Sequence, residues 1–270
     1  MNRSRRVPLL NAATRLGFIA LFDDAGAGAV NTSLAHGAGA PTFTRATTAW
    51  TKLSSGLWAS VASGQARSAY VGMNTAVGAY GGYLAEGAGT QLVTPTASIR
   101  DMTNVSWVKV TTPTAKTSTG IDGVASSCTR LTATGANSTI LQTLVAAASS
   151  RTYSAWVKRI TGTGTILLKQ GTATLDITAL INSATFTQVQ LNDNELNVAY
   201  GFQINTSGDA IDVDFNQFEA GAFASTPLDT AAGTRNTDVL TYVSSGNVIG
   251  TIGSVYAEVA SELVGAPSTN

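Results

Sequence analysis

The sequence predicts an all-β protein, an antiparallel two-sheet jelly-roll sandwich entered through an extended N-terminal arm. Three observations carry this. Ala, Thr, Gly and Ser dominate the 270 residues while Lys and Glu are scarce, and long amphipathic helices are built from Leu, Glu, Lys and Arg. Thr with scattered Val, Ile and aromatics suits short pleated strands, and 27 Gly supply the turns between them. From about Val105 onward, apolar and polar residues alternate in a series of short segments, the period of strands with one face in a core.

Residues 1–40 have no sustained period, and Gly26, Gly28, Gly37 and Gly39 alternate with Ala. They read as an arm that docks on a neighbour. The basic start (Arg3, Arg5, Arg6), the apolar residues 16–22 and the small residues 25–29 have the outline of a secretory signal. Against that, the apolar run is minimal, Arg15 stands at its edge, and Asp23 and Asp24 precede the would-be cleavage site. Residues 41–95 form a small β strap or collar, with short strands at 43–49, 57–62, 68–72 and 82–85 broken by Gly.

Residues 96–225 are the sandwich. Strands are expected at 105–110, 128–133, 138–145, 152–159, 164–170, 174–177, 186–191, 198–204 and 211–218. In the fourth, Tyr153, Ala155 and Val157 share one face and Ser154, Trp156 and Lys158 the other. In the last, Ile211, Val213 and Phe215 oppose Asp212, Asp214 and Asn216. The only helix candidate is 141–149, with three consecutive Ala, and a strand followed by a loop fits it equally. Residues 226–270 are a linker around Pro227 with strands at 239–242 and 254–259. The last strand either adds to a neighbour's sheet or opens a further domain.

Sixteen basic and sixteen acidic residues cancel, and charge is only 12% of the chain, about half the usual share. A nucleic-acid partner held by counterion release needs a basic face, and an anionic membrane needs a polybasic one; neither is present. No run of 18 apolar residues provides a spanning helix. One Cys makes no internal disulfide, and one His excludes any mechanism or metal site that needs two. There is no G-x-S-x-G and no phosphate loop. His36 reads as a loop residue and Cys128 as a small core residue. The sequons at Asn31, Asn104, Asn137 and Asn205 follow from Thr and Ser richness. A surface this low in charge is poorly protected as a monomer, so neighbouring subunits are expected to cover much of it.

Several segments resemble, in order, those of a group of tailed-phage virion proteins. Phe43-Thr44-Arg45-Ala46-Thr47 resembles the group's F-[ST]-R-A-[ST] opening. Residues 82–92 resemble its G-x-L-x-E-x-A-x-T-N-L segment, with Gln91 in place of the common Asn. Asn104–Lys109 is similar to a stretch ending in W-x-K, and Tyr153–Lys158 to the strand Y-[ST]-x-[WY]-[VA]-K. Residues 217–227 are similar to Q-[LF]-E-x-G-x-F-A-[ST]-[SP], and 234–240 to T-R-x-A-D-V. The first forty residues do not match. The resemblance implies a middle section like a carbohydrate-binding module of jelly-roll fold. It also implies a place in the virion, as a tail fibre, head fibre or head-decorating protein, with other virion proteins as partners and a homotrimer as the leading assembly.

The motif residues Arg45, Glu86, Glu219, Phe223 and Arg235 are read as structural. Glu219 is expected to accept hydrogen bonds from loop amides where the last strand leaves the core, with Phe223 plugging the base. At least one of Arg45, Glu86 and Arg235 is expected to pair with another and lock the strap to the sandwich. Trp156 is the candidate glycan contact, because it shares a face with Ser154 and Lys158; Trp50, Trp58 and Trp107 read as core or interface anchors. Asp209, Asp212 and Asp214, with Asp193, Asn194 and Glu195, are the candidate ligands of a structural Ca²⁺. A solvated polar face is the preferred reading of them, so no cofactor is expected. The leading function is a non-enzymatic virion structural protein assembled through its arm. The alternatives are an adhesin for a host surface glycan and, behind it, a glycan-cleaving spike with two carboxylates.

Overall fold

The computed structural model describes residues 39–53, 55–70, 80–95, 99–228 and 233–243, together with the backbone of four short strands between 19 and 36. Those four are β1 (Ile19–Ala20), β2 (Asp23–Gly26), β3 (Ala29–Asn31) and β4 (Leu34–His36). The strap carries β5 (Thr42–Thr44), β6 (Ala49–Lys52), β7 (Trp58–Val61), β8 (Arg67–Tyr70), β9 (Tyr80–Leu84) and β10 (Gly89–Thr90). The sandwich strands are β11 (Val108–Val110), β12 (Thr114–Ser118), β13 (Cys128–Thr132), β14 (Ser138–Thr143) and β15 (Ser149–Thr161). They continue with β16 (Ile166–Gln170), β17 (Ala173–Asp176), β18 (Thr187–Glu195), β19 (Ala199–Ile204) and β20 (Ala210–Ala220). β21 (Thr234–Arg235) and β22 (Val239–Thr241) come after the sandwich.

Two five-stranded antiparallel sheets form the sandwich. Sheet I has the order β12-β13-β20-β15-β18, and sheet II the order β11-β14-β19-β16-β17. Between them lie Tyr153, Val157, Leu131, Ile211, Val213 and Phe218 from sheet I and Ile140, Tyr200, Phe202, Ile204, Ile166 and Leu168 from sheet II. Tyr200 stacks on Phe218 at 4.2 Å and meets Tyr153 at 5.2 Å. The buried phenols keep partners: Tyr153 donates to Asn216 Oδ1 at 2.8 Å, and Tyr200 pairs with Gln142. Such pairing keeps aromatic bulk in a core without orphaned polar groups.

Of the two readings of residues 141–149, the strand followed by a loop is the one found: β14 runs to Thr143 and β15 begins at Ser149. The strands differ from expectation in three places. β12 was not anticipated, since its exposed Thr-Ala-Lys-Thr has no apolar alternation. The alternation of β20 breaks at Phe215, which has φ 45° opposite an irregular register between Ser154 and Trp156. A bulge of this kind swaps the faces of the residues beyond it. Phe215 therefore turns outward to meet Trp50 at 4.9 Å, and Asn216 turns inward to Tyr153. Finally, His36 lies in a strand, paired with Ile19, rather than in a loop.

The arm and the C-terminal segment return to the strap. β2 pairs with β3, and β3 joins β8 at Ala29 and Arg67. β22 pairs with β5, and β10 with β21. The strand expected at 254–259 lies outside the described residues.

Candidate functional site

The two central strands of sheet I, β20 and β15, are covered on both sides over most of their length. All but the last residue of β20 are buried, as is β15 from Arg151 to Val157. The second cover is the β6–β7 hairpin of the strap. Its Trp58 lies edge-on to Trp156 at 5.2 Å, and its Trp50 meets Phe215. Trp156 is consequently 4% exposed and offers no face to a sugar, which corrects its assignment as a glycan contact. The alternation suggested an outward Trp; a second layer on that side was not readable from the strand itself.

Asp212 and Asp214 are likewise 1% and 0% exposed rather than solvated, Asp212 beneath side chains of its own sheet and Asp214 beneath the loop that carries Arg100 and Ile121. Asp212 accepts from Arg130 Nε and from Ser118 Oγ, both at 2.8 Å. Asp214 accepts from Arg100 Nε at 2.8 Å and Nη2 at 2.9 Å, and from the amide of Ile121 at 2.9 Å. Arg100 also reaches Asp122 at 2.8 Å and lies over the Phe215 ring at 4.3 Å. Burial lowers the guanidinium's affinity for its proton, but the two carboxylates raise it further, so the Arg100 pKa lies above its ordinary value. Burial pushes the Asp214 carboxyl above its ordinary value, against the opposing pull of Arg100 and the Ile121 amide. Gly120 is required beside it, because a Cβ there would strike Asp214, Ser127 and Arg100. Asp209 is held by the amide of Gly164 at 2.8 Å and by Arg159 at 3.4 Å, and Glu195 by Thr172. Among the described residues no group of three His, Cys, Asp or Glu side chains is placed to hold a metal ion.

The motif residues converge elsewhere, where the strap meets the C-terminal segment. Arg45 Nη1 reaches Asp238 at 2.7 Å, and Arg45 Nη2 donates to the Ala62 carbonyl at 2.7 Å. Arg67 pairs with Asp238 through Nη2 and with Glu86 through Nη1 at 2.8 Å. Arg235 stands 3.5 Å from Glu86. The Glu86 carboxylate also accepts from the amide and hydroxyl of Thr226. Burial favours its neutral form, but Arg235, Arg67 and Thr226 together outweigh that and hold it below the usual glutamate value. Burial and then the Asp238 charge push the neighbouring Tyr83 phenol up to about 12.

Glu219 sits beside this cluster on different terms. It accepts from the Ser225 amide at 3.1 Å, the Ser225 hydroxyl at 2.7 Å and Gln217 Nε2 at 3.0 Å. Burial dominates, and its pKa is raised. Phe223, expected beneath it as a plug, is instead 56% exposed at the turn. Gln91 is pinned by three backbone groups: its Oε1 accepts from Val93 and Phe218, and its Nε2 donates to the Asn216 carbonyl.

Sequence pattern did not single out Arg67 and Asp238, the centre of this cluster. Asp238 lies within the segment similar to T-R-x-A-D-V, and Arg67 has no motif. The available signal was scarcity: in a chain with 12% charge, an Arg or Asp flanked by small and apolar residues is a candidate for a buried pair.

The outer face of sheet II has no such cover among the described residues. One row across it runs Val108, Leu141, Gly201, Lys169, Thr174, and the next runs Val110, Thr139, Gln203, Leu167, Asp176. Gly201 (φ 147°) leaves a low floor between Leu141 and Lys169, and a Cβ there would press on the Ile140 carbonyl. At one end Gln203 Nε2 donates to Asn205 Oδ1 at 2.7 Å and to Asn137 Oδ1 at 3.4 Å. Separately, two shallow hollows of about 360 and 320 Å³ flank Thr44–Ala46.

No protein-family model matches the chain, and no curated protein does. Similar solved structures include a Clostridium thermocellum endo-1,4-β-D-xylanase 10B fragment, with CBM22-1 and GH10 modules, at 15% identity and TM-score 0.38 over 50% of this chain. The enzymatically active domain of bacteriophage CBA120 tailspike protein 4 is similar at 16% identity and TM-score 0.37 over 49%. The match spans only 29% and 22% of those two chains. The CBM22-1 xylan-binding domain from Paenibacillus barcinonensis Xyn10C is similar at 12% identity and TM-score 0.33, over 51% of this chain and 94% of its own. With TM-scores this low the likenesses carry no functional argument, and the sandwich assignment rests on the strand order of its two sheets.

Proposed function

We propose that the chain is a non-enzymatic binding module of a tailed-phage particle, held in the virion through the segments that flank its strap. The observation that carries this reading is the convergence of the phage-like motifs. Arg45, Glu86, Gln91, Glu219, Thr226, Arg235 and Asp238 come from four separated segments and meet around one buried junction. The motifs thus describe how the frame is closed, not a reaction. Of the buried carboxylates of sheet I, Asp212 and Asp214 are engaged by arginines and Glu219 by Ser225 and Gln217, an arrangement that suits structural pairing better than acid–base chemistry.

The partner of the first reading is a host surface glycan on the open face of sheet II. Lys169 beside Gly201 and Thr139 and Gln203 in the next row, with Thr174 and Asn205 further out, place hydrogen-bonding groups among Leu141 and Leu167 on this face, a mix that suits a ligand rich in hydroxyls. The second reading is a fibre or decoration protein, a homotrimer that meets other virion proteins. It is favoured by Val105, Val108 and Val110, which are exposed on and beside the edge strand β11.

A glycan array with the full chain separates the two. Binding to one glycan class, lost in Gln203→Ala and Lys169→Ala, supports the adhesin. No glycan bound, with incorporation into particles, supports the structural protein. A chain that neither binds a glycan nor incorporates overturns the proposal, and release of reducing ends from capsule polysaccharide overturns its non-enzymatic part.

A further inference from the structure

Nearly every cation of the described residues is already engaged. In the sandwich, Arg100, Arg130 and Arg159 pair with aspartates, and Arg151 and Lys109 donate to backbone carbonyls. Lys116 stands 3.8 Å from Asp101, and Lys158 lies over the Phe186 ring at 4.9 Å. In the strap and the C-terminal segment, Arg45, Arg67 and Arg235 belong to the ion-pair cluster, and Lys52 has a partner too. Lys169 is the exception: its ammonium has no partner among the described residues. It stands on the open face of sheet II.

Lys169 is also held in place there. Its neighbours in β16, Leu168 and Gln170, are buried on the inner side of the sheet, so Lys169 points outward. It lies opposite Gly201 on one side and Thr174 on the other. Gly201 is buried, although no second layer of described residues covers this face. The side chains that flank it, Leu141 and Lys169, therefore lean across it. Lys169 is itself half-buried. A lysine so placed lays its methylene stem on apolar surface and keeps its ammonium in water. The acid in the next row, Asp176, accepts from the Thr178 amide at 2.9 Å and makes no ion pair with Lys169.

The outward rows of the same face carry no aromatic ring among the described residues; Tyr200 and Phe202 of β19 are turned into the core. A neutral sugar would have only hydrogen bonds and aliphatic contact to hold it. Hydrogen bonds exchanged with water give little net, whereas one to an ionised group is about twice as strong as a neutral one. We infer that the ligand of this face is an acidic glycan, a polysaccharide whose repeat carries a carboxylate or a sulfate ester, with one acid group on the Lys169 ammonium. The inference rests on the adhesin reading and narrows its partner to one charge class. An ammonium is a compact point charge with three donors, so it takes either acid without the geometric demand of a guanidinium. Thr139 and Gln203 in the next row are placed for hydroxyls of the same chain.

The test is an array of uronate-bearing, sulfated and neutral bacterial surface polysaccharides probed with the full chain. Acidic glycans alone are expected to bind, and carboxyl reduction or desulfation of the bound glycan should abolish binding; the treatment that does so identifies the acid. Raising the salt from about 20 to about 300 mM should weaken binding several-fold. Lys169→Gln should weaken it about tenfold or more, and Lys169→Arg should restore most of the loss. Lys116→Gln, on β12 of sheet I, should change nothing, because a chain with no net charge has no general attraction for polyanions. Neutral glycans bound as well as their acidic counterparts, or unchanged binding in Lys169→Gln, overturns the inference and leaves the adhesin standing. Equal weakening by Lys116→Gln also overturns it, since attraction would then be diffuse. A chain that binds no glycan of either charge loses the adhesin reading and this inference together.

Discussion

The two sheets of the sandwich are made of similar strands and meet different surroundings. In sheet II, β16 alternates buried with half-buried residues and its outer side faces solvent. In sheet I, β20 and residues 151–157 of β15 carry the same apolar–polar period and are buried on both sides. The period of a strand records what each face touches only if the other layer is water. Where the second layer is protein, polar residues on that face must find partners away from water, as Asp214 does with Arg100 from the covering loop and Asp212 with Arg130 and Ser118 of its own sheet. Two surfaces with one pattern therefore differ in what a substitution costs.

The largest difference is expected at Trp156. Truncation to Ala empties the space under Trp58 and should cost about 3–5 kcal/mol, measured by urea unfolding. Val110→Ala on sheet II should stay within ~0.5 kcal/mol. A Trp156→Ala cost below ~1 kcal/mol would mean the hairpin does not seal that face.

Next is Asp214. Asp214→Ala leaves Arg100 with Asp122 alone and should cost about 3 kcal/mol, the low end for a broken buried pair. The double variant Asp214→Leu with Arg100→Met should recover most of the loss, because it removes both desolvated charges. If the double variant is no better than the single, the energy lies in the geometry of the 119–127 loop and not in the pair.

This contrast also explains what was legible. The sandwich could be read because eight of its ten strands have an apolar face, such as Tyr153, Ala155 and Val157. β12, with Thr-Ala-Lys-Thr on an edge, has none and was missed. The pairing of Glu86 with Arg235 could be anticipated because both lie in motifs. Arg67 could not, because its role depends on residues 159 and 171 positions away, Thr226 and Asp238. The bulge at Phe215 was equally hidden: its φ of 45° is imposed by the register against β15, not by a glycine. Local pattern reveals faces and elements. It does not reveal a second cover contributed by a hairpin a hundred residues away in the strap.

Glu86 of the strap and Glu219 of sheet I sharpen the comparison where the two meet. Glu86 is half-buried and Glu219 buried near Arg235, yet Glu86 is held below the usual glutamate value and Glu219 is pushed above it. A lowered folded value contributes stability that is present above the ordinary value of 4.5 and is lost as pH falls through the folded one. A raised folded value has the opposite sign: its contribution is full below 4.5 and is lost as pH rises through the folded value. Glu86→Gln should therefore cost about 2 kcal/mol at neutral pH and reduce the fall in stability on acidification. Glu219→Gln should lie within about 1 kcal/mol of the parent at neutral pH, since an amide can accept from the Ser225 amide and donate to its hydroxyl. Urea unfolding across pH 3–8 measures both, and equal costs at neutral pH would remove the distinction.

The smallest effect is expected on the open face, and there its smallness is informative. Val108 and Val110 are 65% and 54% exposed, so replacing both with Thr keeps the β-branched shape and removes little buried apolar area. Stability should change by no more than ~0.5 kcal/mol. If β11 is an interface between copies, the same pair of changes should shift the assembly toward monomer in light scattering while the unfolding curve of the isolated chain stays put. If the face takes a glycan, association should be untouched and the effect should appear in glycan binding. A stability loss of 2 kcal/mol or more would show that something covers these valines, and sheet II would then join sheet I as a sheet with two buried sides.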